Sequence, residues 1–358
     1  MTTQMFVTSR PQAVMIAKEI LRSRLDNRFG PTAVDPLDYH TRGHSEHVAL
    51  WARKGLETIR ELAPDLVPME DLDLVEIEGL GHDLVQDCFK DPDKWRGRWG
   101  GYKETDISPA MRERGMVRGN ERASADEILE VLGYFIYVDG SLVFPVNDDA
   151  WCESISADIG TTYPKFEKTA DGSPKVFQPY LLPETSLRGL CLANADLRSN
   201  LAESETVFWQ TGNAELREWW WELTRYMRCD GDLHKIPQDG RARIATQILD
   251  WIRDQVGFAR EQRKLFLGSI AGNDILNAHA VGVQIQWALC ELYGLLQGDE
   301  GEDGNFENNI VLAHRRYLIF EDRFGHLTDA ECRKQRLDVI SVEDIGCLLT
   351  EVGYSVSV

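Results

Sequence analysis

Apolar residues recur at intervals of three and four along most of the chain, which is the spacing of an amphipathic α-helix. Residues 11–29 show this pattern first, and residues 43–63 and 71–88 repeat it. The same spacing predicts further helices at 124–132, 187–204, 214–228, 240–266, 273–297, 309–323 and 342–352. The pattern therefore predicts a mainly α fold.

The helical spacing breaks between residues 134 and 185. Residues 134–138 and 141–144 are short apolar runs on either side of Asp139-Gly140, an arrangement typical of a small β-hairpin. Residues 160–185 follow with four prolines and many polar side chains, which predicts a long irregular loop. We therefore expect one hairpin within an otherwise helical chain.

Acidic side chains dominate the charge, since 59 Asp and Glu against 39 Lys and Arg give a formal net charge of −20. This charge disfavours nucleic-acid binding, which depends on neutralising phosphates. The sequence has no stretch of 18 apolar residues, so it predicts no membrane span. The cysteines form no C-x-x-C pair, and the N-terminus lacks a secretory pattern, so we expect a cytoplasmic protein. The oligomeric state stays open, a homo-oligomer included.

Half of the histidines lie within a short part of the chain, at His40, His44, His47 and His82. If residues 40–47 are helical, His40 and His44 share one face. His82 is followed directly by Asp83, on what the pattern predicts to be another helix. Imidazole and carboxylate together suit Zn, Fe, Mn and similar divalent ions, so this grouping predicts a metal site.

These residues resemble the HD superfamily of metal-dependent phosphohydrolases, which is named for its His-Asp pair. The similarity extends through four motifs, Tyr39-His-Thr-Arg-Gly-His44, His82-Asp-Leu-Val-Gln-Asp87, Asn120-Glu-Arg-Ala-Ser-Ala125 and Ala193-Asn-Ala-Asp-Leu197. It implies an HD-domain helical bundle over residues 1–265, with insertions near 90–119 and 134–185. Residues 266–358 would then form a helical C-terminal extension.

The resemblance also implies a ligand set of His44, His82, Asp83 and Asp196 for one divalent ion, which is Mn, Fe, Zn, Co, Ni or Mg. Asp196 lies farther along the chain than is usual for the last ligand, so Asp158 is the alternative. No histidine lies between residues 82 and 234, which favours one metal over two.

The catalytic roles that the resemblance implies fall on His40, Asp87 and Glu121. His40 corresponds to a general acid in related cyclic-nucleotide phosphodiesterases, with a supporting or helix-capping role as the alternative. Asp87 or Glu121 would orient the attacking water. Gln86 departs from the pattern, because relatives carry Tyr there or, in ppGpp hydrolases, Glu. Asn200 matches the last residue of a further ppGpp hydrolase motif.

A basic segment stands out in this acidic chain, because residues 90–122 hold nine Lys or Arg against six acids. Trp95, Trp99 and Tyr102 are interleaved with the basic side chains. The candidate phosphate contacts are Arg96, Arg98, Lys103 and Arg122. The alternative is an ordinary solvated loop.

The predicted function is metal-dependent hydrolysis of a phosphate ester by a metal-activated water. The substrate would be a nucleotide or another small phosphorylated metabolite. One alternative is a non-catalytic HD domain that senses a nucleotide. Another is a helical protein that binds a partner through its C-terminal extension and the cluster Trp219–Trp221.

Overall fold

The computed structural model describes residues 4–33, 36–86, 120–163, 165–168, 174–226, 233–296, 306–329 and 340–352. Over these residues the chain is mainly helical, as the periodicity predicts. The α-helices are α1 (Arg10–Phe29), α2 (Arg42–Leu62), α3 (Met69–Gly81), α4 (Asn120–Leu132), α5 (Asp149–Gly160), α6 (Leu187–Leu201), α7 (Glu205–Tyr226), α8 (Gln238–Gly272), α9 (Asp274–Ala278), α10 (Gly282–Leu292), α11 (Phe306–Phe324) and α12 (Val342–Glu351). The strands are β1 (Met5–Val7), β2 (Phe135–Tyr137), β3 (Lys165–Lys168) and β4 (Pro174–Phe177).

Helices α2 and α3 pack closely, because a glycine lies where they meet. A Cβ atom on Gly79 would lie 2.5 Å from the Cα atom of Ala49, closer than any side chain tolerates. Buried Val48, Ala52 and Leu56 continue the contact face of α2. This packing matters for function, since α2 carries His44 and α3 leads directly into His82.

One predicted helix boundary near the histidines is wrong. The helix expected over 71–88 ends at Gly81, so His82 and Asp83 lie just beyond α3. The chain turns there because Leu84 N–H bonds back only three residues to Gly81, and Val85 N–H donates to Ser124 Oγ on α4. Helix α2 begins at Arg42, one residue from the predicted start at 43 and directly after the extended N-cap residue Thr41. His40 therefore lies before this helix and does not share it with His44.

The hairpin prediction is right about the turn and wrong about the strands. Asp139-Gly140 forms the turn, with Gly140 at a φ of 86°. Residues 141–144 then add an isolated antiparallel bridge between Ile136 and Leu142 instead of a second strand. The regular partner of β2 is β1, which pairs with it in parallel. Strand β1 has only three residues and lies far from β2 in sequence, so the apolar pattern does not reveal this pairing.

Other segments also differ from the sequence prediction. The loop expected over 160–185 contains the paired strands β3 and β4. Helix α5 is absent from the sequence prediction. Its N-cap residue is nevertheless a typical one, since the carboxylate of Asp148 accepts hydrogen bonds from the Ala150 and Trp151 N–H groups. The helix expected over 273–297 is two helices, since His279 is extended and ends α9 before α10 begins.

The chain divides into two compact units. Unit 1 comprises residues 1–165, 177–199 and 264–296, and unit 2 comprises 166–176, 200–263 and 297–358. Both units are therefore discontinuous along the chain, and the domain boundary expected at 265 stays a prediction. Unit 2 has its own core, in which Ile244, Ile248, Phe320 and Leu348 are buried. Within the described residues, no helix is both long and apolar enough to cross a membrane.

Candidate metal centre

Four side chains named by the sequence analysis as metal ligands meet inside unit 1. His44 comes from α2, His82 and Asp83 follow α3, and Asp196 lies on α6. Asp83 Oδ2 is 2.9 Å from His82 Nε2 and 3.2 Å from His44 Nε2. Asp196 Oδ1 is 3.3 Å from His44 Nε2 and 3.5 Å from His82 Nε2. Two imidazole nitrogens and two carboxylate oxygens thus surround one point.

These separations suit a bound metal ion. Nitrogen and oxygen ligands lie about 2.0–2.2 Å from ions such as Zn²⁺, so neighbouring ligands at tetrahedral or octahedral angles lie about 2.8–3.6 Å apart. The histidine side chains are 6% and 1% exposed. Both Nε2 atoms are buried without a well-formed hydrogen bond to any described residue. The group His44, His82 and Asp83 could therefore hold a metal ion.

The other ring nitrogen of each histidine is fixed by a hydrogen bond. His82 Nδ1 lies 2.8 Å from the carbonyl oxygen of Gly79, which can only accept, so Nδ1 carries the proton. His44 Nδ1 lies 3.3 Å from Ser199 Oγ, whose own proton goes to the carbonyl of Asp196. In the neutral form of each histidine, Nε2 would then keep its lone pair toward the centre, as in most metal-ligating histidines.

The segment that carries Asp83 is held by neighbouring helices. Arg28 on α1 donates to the carbonyl of Leu84 at 2.7 Å, and its guanidinium pairs with Glu127 of α4. Gln86 donates its amide N–H to Asp83 Oδ1 at 2.7 Å. Asn120, the first residue of α4, donates in turn to Gln86 Oε1 at 3.2 Å. Asp83 is therefore oriented with Oδ1 bound by Gln86 and Oδ2 facing the histidines.

At this centre, charge pairing shifts the pKa values of the four side chains more than burial does. Burial lowers the pKa of His44 and His82, but contacts with Asp83 and Asp196 outweigh it and raise both values. Burial likewise raises the pKa of the two carboxyl groups, but the histidines outweigh it and lower both. The aspartates are therefore ionised at neutral pH, and a divalent cation would compete with protons for the histidines.

Asp158, the alternative fourth ligand, lies in a different cluster of unit 1. Its Oδ2 atom is 2.7 Å from the guanidinium of Arg188, and its Oδ1 atom accepts from Ser186. Arg188 also pairs with Asp71 at 2.9 Å and contacts the fully buried Glu78 at 3.4 Å. Burial raises the pKa of Glu78 well above its ordinary value, against the opposing charge of Arg188.

Two of the predicted catalytic residues lie close to the centre. The His40 ring packs edge-on against Tyr39, with centroids 4.6 Å apart, and its centroid is 6.1 Å from that of His44. Glu121 lies in the first turn of α4. Burial and the negative charges of Asp83 and Asp196 raise its pKa to about 7, although its own backbone N–H favours the ionised form. His47, which the sequence grouped with these histidines, instead accepts from Trp51 Nε1.

The predicted substrate-binding residues are only partly covered by the structure. Arg122 pairs with Asp126 one turn along α4, at 3.2 Å. Asn200 lies on α6, where only its backbone is described. Asp87, Arg96, Arg98 and Lys103 lie outside the described residues, as do the side chains of Trp219–Trp221.

Two residues that support the ligands have no role predicted from sequence. Gln86 is only a departure from the expected pattern in sequence, whereas in the structure its amide orients Asp83. Ser199 lies three residues after Asp196 and so on the same face of α6. An amide or hydroxyl three residues after a ligand is the sequence signal that indicates both.

Comparisons with protein family models, with curated proteins and with solved structures give no match for this chain.

Proposed function

We propose that this chain is an HD-type metal-dependent phosphohydrolase in which His44, His82, Asp83 and Asp196 hold one divalent ion. The observation that carries the proposal is the set of four inward-facing ligand atoms, with nitrogen–oxygen separations of 2.9–3.5 Å. Their order along the chain, His, His-Asp, Asp, is the order that the resemblance implies. The orientation of both Nδ1 atoms away from the centre supports the same ligand set.

The chain's own residues supply the remaining parts of a hydrolytic mechanism. An ion bound here would polarise a phosphoryl oxygen and lower the pKa of a coordinated water toward neutrality. Glu121, with a pKa of about 7, can hold or release a proton near neutral pH. His40 lies beside His44 and can donate a proton to the leaving oxygen. From sequence alone, we also expect Asp87 to orient the attacking water.

One observation favours a second candidate, a non-catalytic domain that binds metal and senses a nucleotide. Gln86 stands where ppGpp hydrolases carry Glu, and its amide is committed to Asp83 and Asn120. An amide cannot accept a proton as a general base. The sensor would keep the metal and the fold and lack turnover.

Metal analysis followed by a hydrolysis screen tests both candidates. The purified chain would be assayed for bound transition metals, then for phosphate release from p-nitrophenyl phosphate and a nucleotide panel with Mn, Fe, Co, Ni, Zn or Mg. We expect metal-dependent turnover. A filled metal site with no turnover of any substrate supports the sensor, and the absence of metal binding refutes both candidates.

A matched pair of variants tests the fourth ligand. Asp196→Asn and Asp158→Asn each neutralise one aspartate of unit 1, but only Asp196 faces the histidines. We expect Asp196→Asn to lose metal and activity, and Asp158→Asn to keep full metal occupancy in the fraction that stays folded. Circular dichroism would establish that folded fraction. The reverse result would reassign the ligand to Asp158.

A further inference from the structure

Three basic side chains meet around the indole ring of Trp51 in unit 1. The guanidinium carbon of Arg198 lies 3.4 Å from the ring centroid, and Lys54 Nζ lies 4.0 Å from it. The indole Nε1–H donates to His47 Nε2 at 2.5 Å. We call these four residues the Trp51 cluster.

The Trp51 cluster adjoins the candidate metal centre through two helices. His47, Trp51 and Lys54 follow His44 along α2 at helical spacing, so they continue the face that bears this ligand. Arg198 lies on α6 two residues after Asp196, and its Nε–H donates to the carbonyl of Leu292, which fixes the guanidinium over the ring. The cluster is therefore built from the same two helices that supply His44 and Asp196.

The cluster concentrates positive charge in a strongly acidic chain. Because Arg198 and Lys54 contact one ring, their charges lie within about 7 Å of each other, where like charges repel. Burial and the positive charges of Arg198, His44 and Lys54 lower the pKa of His47 to about 4. His47 is thus neutral at pH 7, and an anion placed here would be stabilised by the surrounding cations.

We propose that the Trp51 cluster binds a second, non-reacting phosphate group of the substrate, while the phosphate to be cleaved lies at the metal centre. The inference rests on the proposed function for the identity of the reacting group. Lys54 supplies a mobile ammonium group that suits phosphate oxygens, and the buried guanidinium of Arg198 adds a second positive charge beside the same ring. Trp51 lies seven residues after His44, which is about 10 Å of rise along α2. The favoured substrate class is then a small metabolite with two phosphate groups on separate atoms of its scaffold, rather than a diphosphate or a simple monoester.

Binding of inorganic pyrophosphate tests the cluster without requiring turnover. Calorimetric titrations would use the full chain with and without Mn²⁺, comparing wild type with Lys54→Gln, Arg198→Gln and Arg198→Lys. Lys54→Gln should weaken pyrophosphate binding at least tenfold in both conditions, and Arg198→Lys should retain more affinity than Arg198→Gln. Arg53→Gln is the matched control, since it removes one positive charge from the neighbouring position of α2, where Arg53 is paired with Glu57 and Glu76.

Steady-state kinetics separate this inference from the proposed function. Lys54→Gln should raise KM for a nucleoside 3′,5′-bisphosphate at least tenfold, with kcat within threefold of wild type and KM for p-nitrophenyl phosphate unchanged. Equal pyrophosphate affinity in wild type and Lys54→Gln overturns the inference, even if the enzyme is active. Loss of pyrophosphate binding in Lys54→Gln, with no turnover by wild type, keeps the anion site and refutes the hydrolase. Because Arg198 is buried and its variants can fail to fold, Lys54→Gln carries the decision.

Discussion

The hydrogen bond from Gln86 to Asp83 provides a direct test of how the candidate metal centre is organised. Gln86→Leu keeps the size of this buried side chain but removes the amide that donates to Asp83 Oδ1 at 2.7 Å. A hydrogen bond to a charged group contributes about 1.5–3 kcal/mol. At 1.4 kcal/mol per factor of ten, metal affinity should fall by about 10- to 150-fold, which overlaps the roughly 10- to 100-fold loss usual for residues that orient metal ligands.

The measurement is a competition titration of the apoprotein with Mn²⁺ and Zn²⁺ against a chelating dye. Gln86→Leu also deprives the Asn120 amide of its acceptor. Asn120→Ala is therefore the matched control, because it breaks that second hydrogen bond and leaves the bond from Gln86 to Asp83 in place. We expect Asn120→Ala to change metal affinity less than threefold.

Two results would refute the reasoning about Gln86. Metal affinity within threefold of wild type in Gln86→Leu would show that Asp83 keeps its orientation without the amide. Equal losses in Gln86→Leu and Asn120→Ala would show that the effect comes from a general loosening of the start of α4. Urea denaturation of each apoprotein would identify any variant whose affinity falls only because it is partly unfolded.

Three further predictions concern the rest of the molecule. Gly79→Ala places a Cβ atom 2.5 Å from Ala49 Cα, so it should cost about 1–3 kcal/mol of unfolding free energy and weaken metal binding, as measured by urea denaturation and dye competition. The pKa of Glu78 is raised above its ordinary 4.5 in the folded protein. The free energy of unfolding should therefore fall as pH rises from about 4.5 toward that raised pKa. Glu78→Gln should remove this pH dependence in denaturation curves taken from pH 5 to 9. Gln262 is fully buried, and its amide has no hydrogen-bond partner among the described residues. Gln262→Leu should therefore raise the unfolding free energy by about 1–3 kcal/mol. A loss of stability in this variant would show that the amide has a hydrogen-bond partner.

The sequence predicts the helices and the ligand candidates because both depend on local spacing. The apolar face of α1 is continuous over Ala13, Ala17, Leu21 and Leu25, and all four side chains are buried. The His82-Asp83 pair is conspicuous in sequence, and His44 and Asp196 are found through the order of the resembled motifs. The structure brings these four residues together although Asp196 is distant along the chain.

The features that sequence reasoning missed depend on tertiary contacts. Helix α3 ends at Gly81, where Ser124 on α4 accepts the N–H of Val85, and the apolar periodicity that continues to residue 88 does not reveal this distant contact. Strand β1 exists only through its pairing with β2. The stacking of Arg198 on Trp51 joins residues nearly 150 positions apart, so neither side chain indicates the other in sequence.

The dispersal of the ligands along the chain has a consequence for folding. A bound ion would connect residues 44, 82, 83 and 196, and so close two long chain loops in the manner of a reversible cross-link. Its ligands can converge only after α2, α3 and α6 have assembled. Ligand binding restricted to the native state raises stability by about 2.7 kcal/mol when the ion is present at 100 times its Kd. Metal supply would then set the lifetime of unit 1 against proteolysis, so the abundance of the protein should decline in a metal-depleted cell.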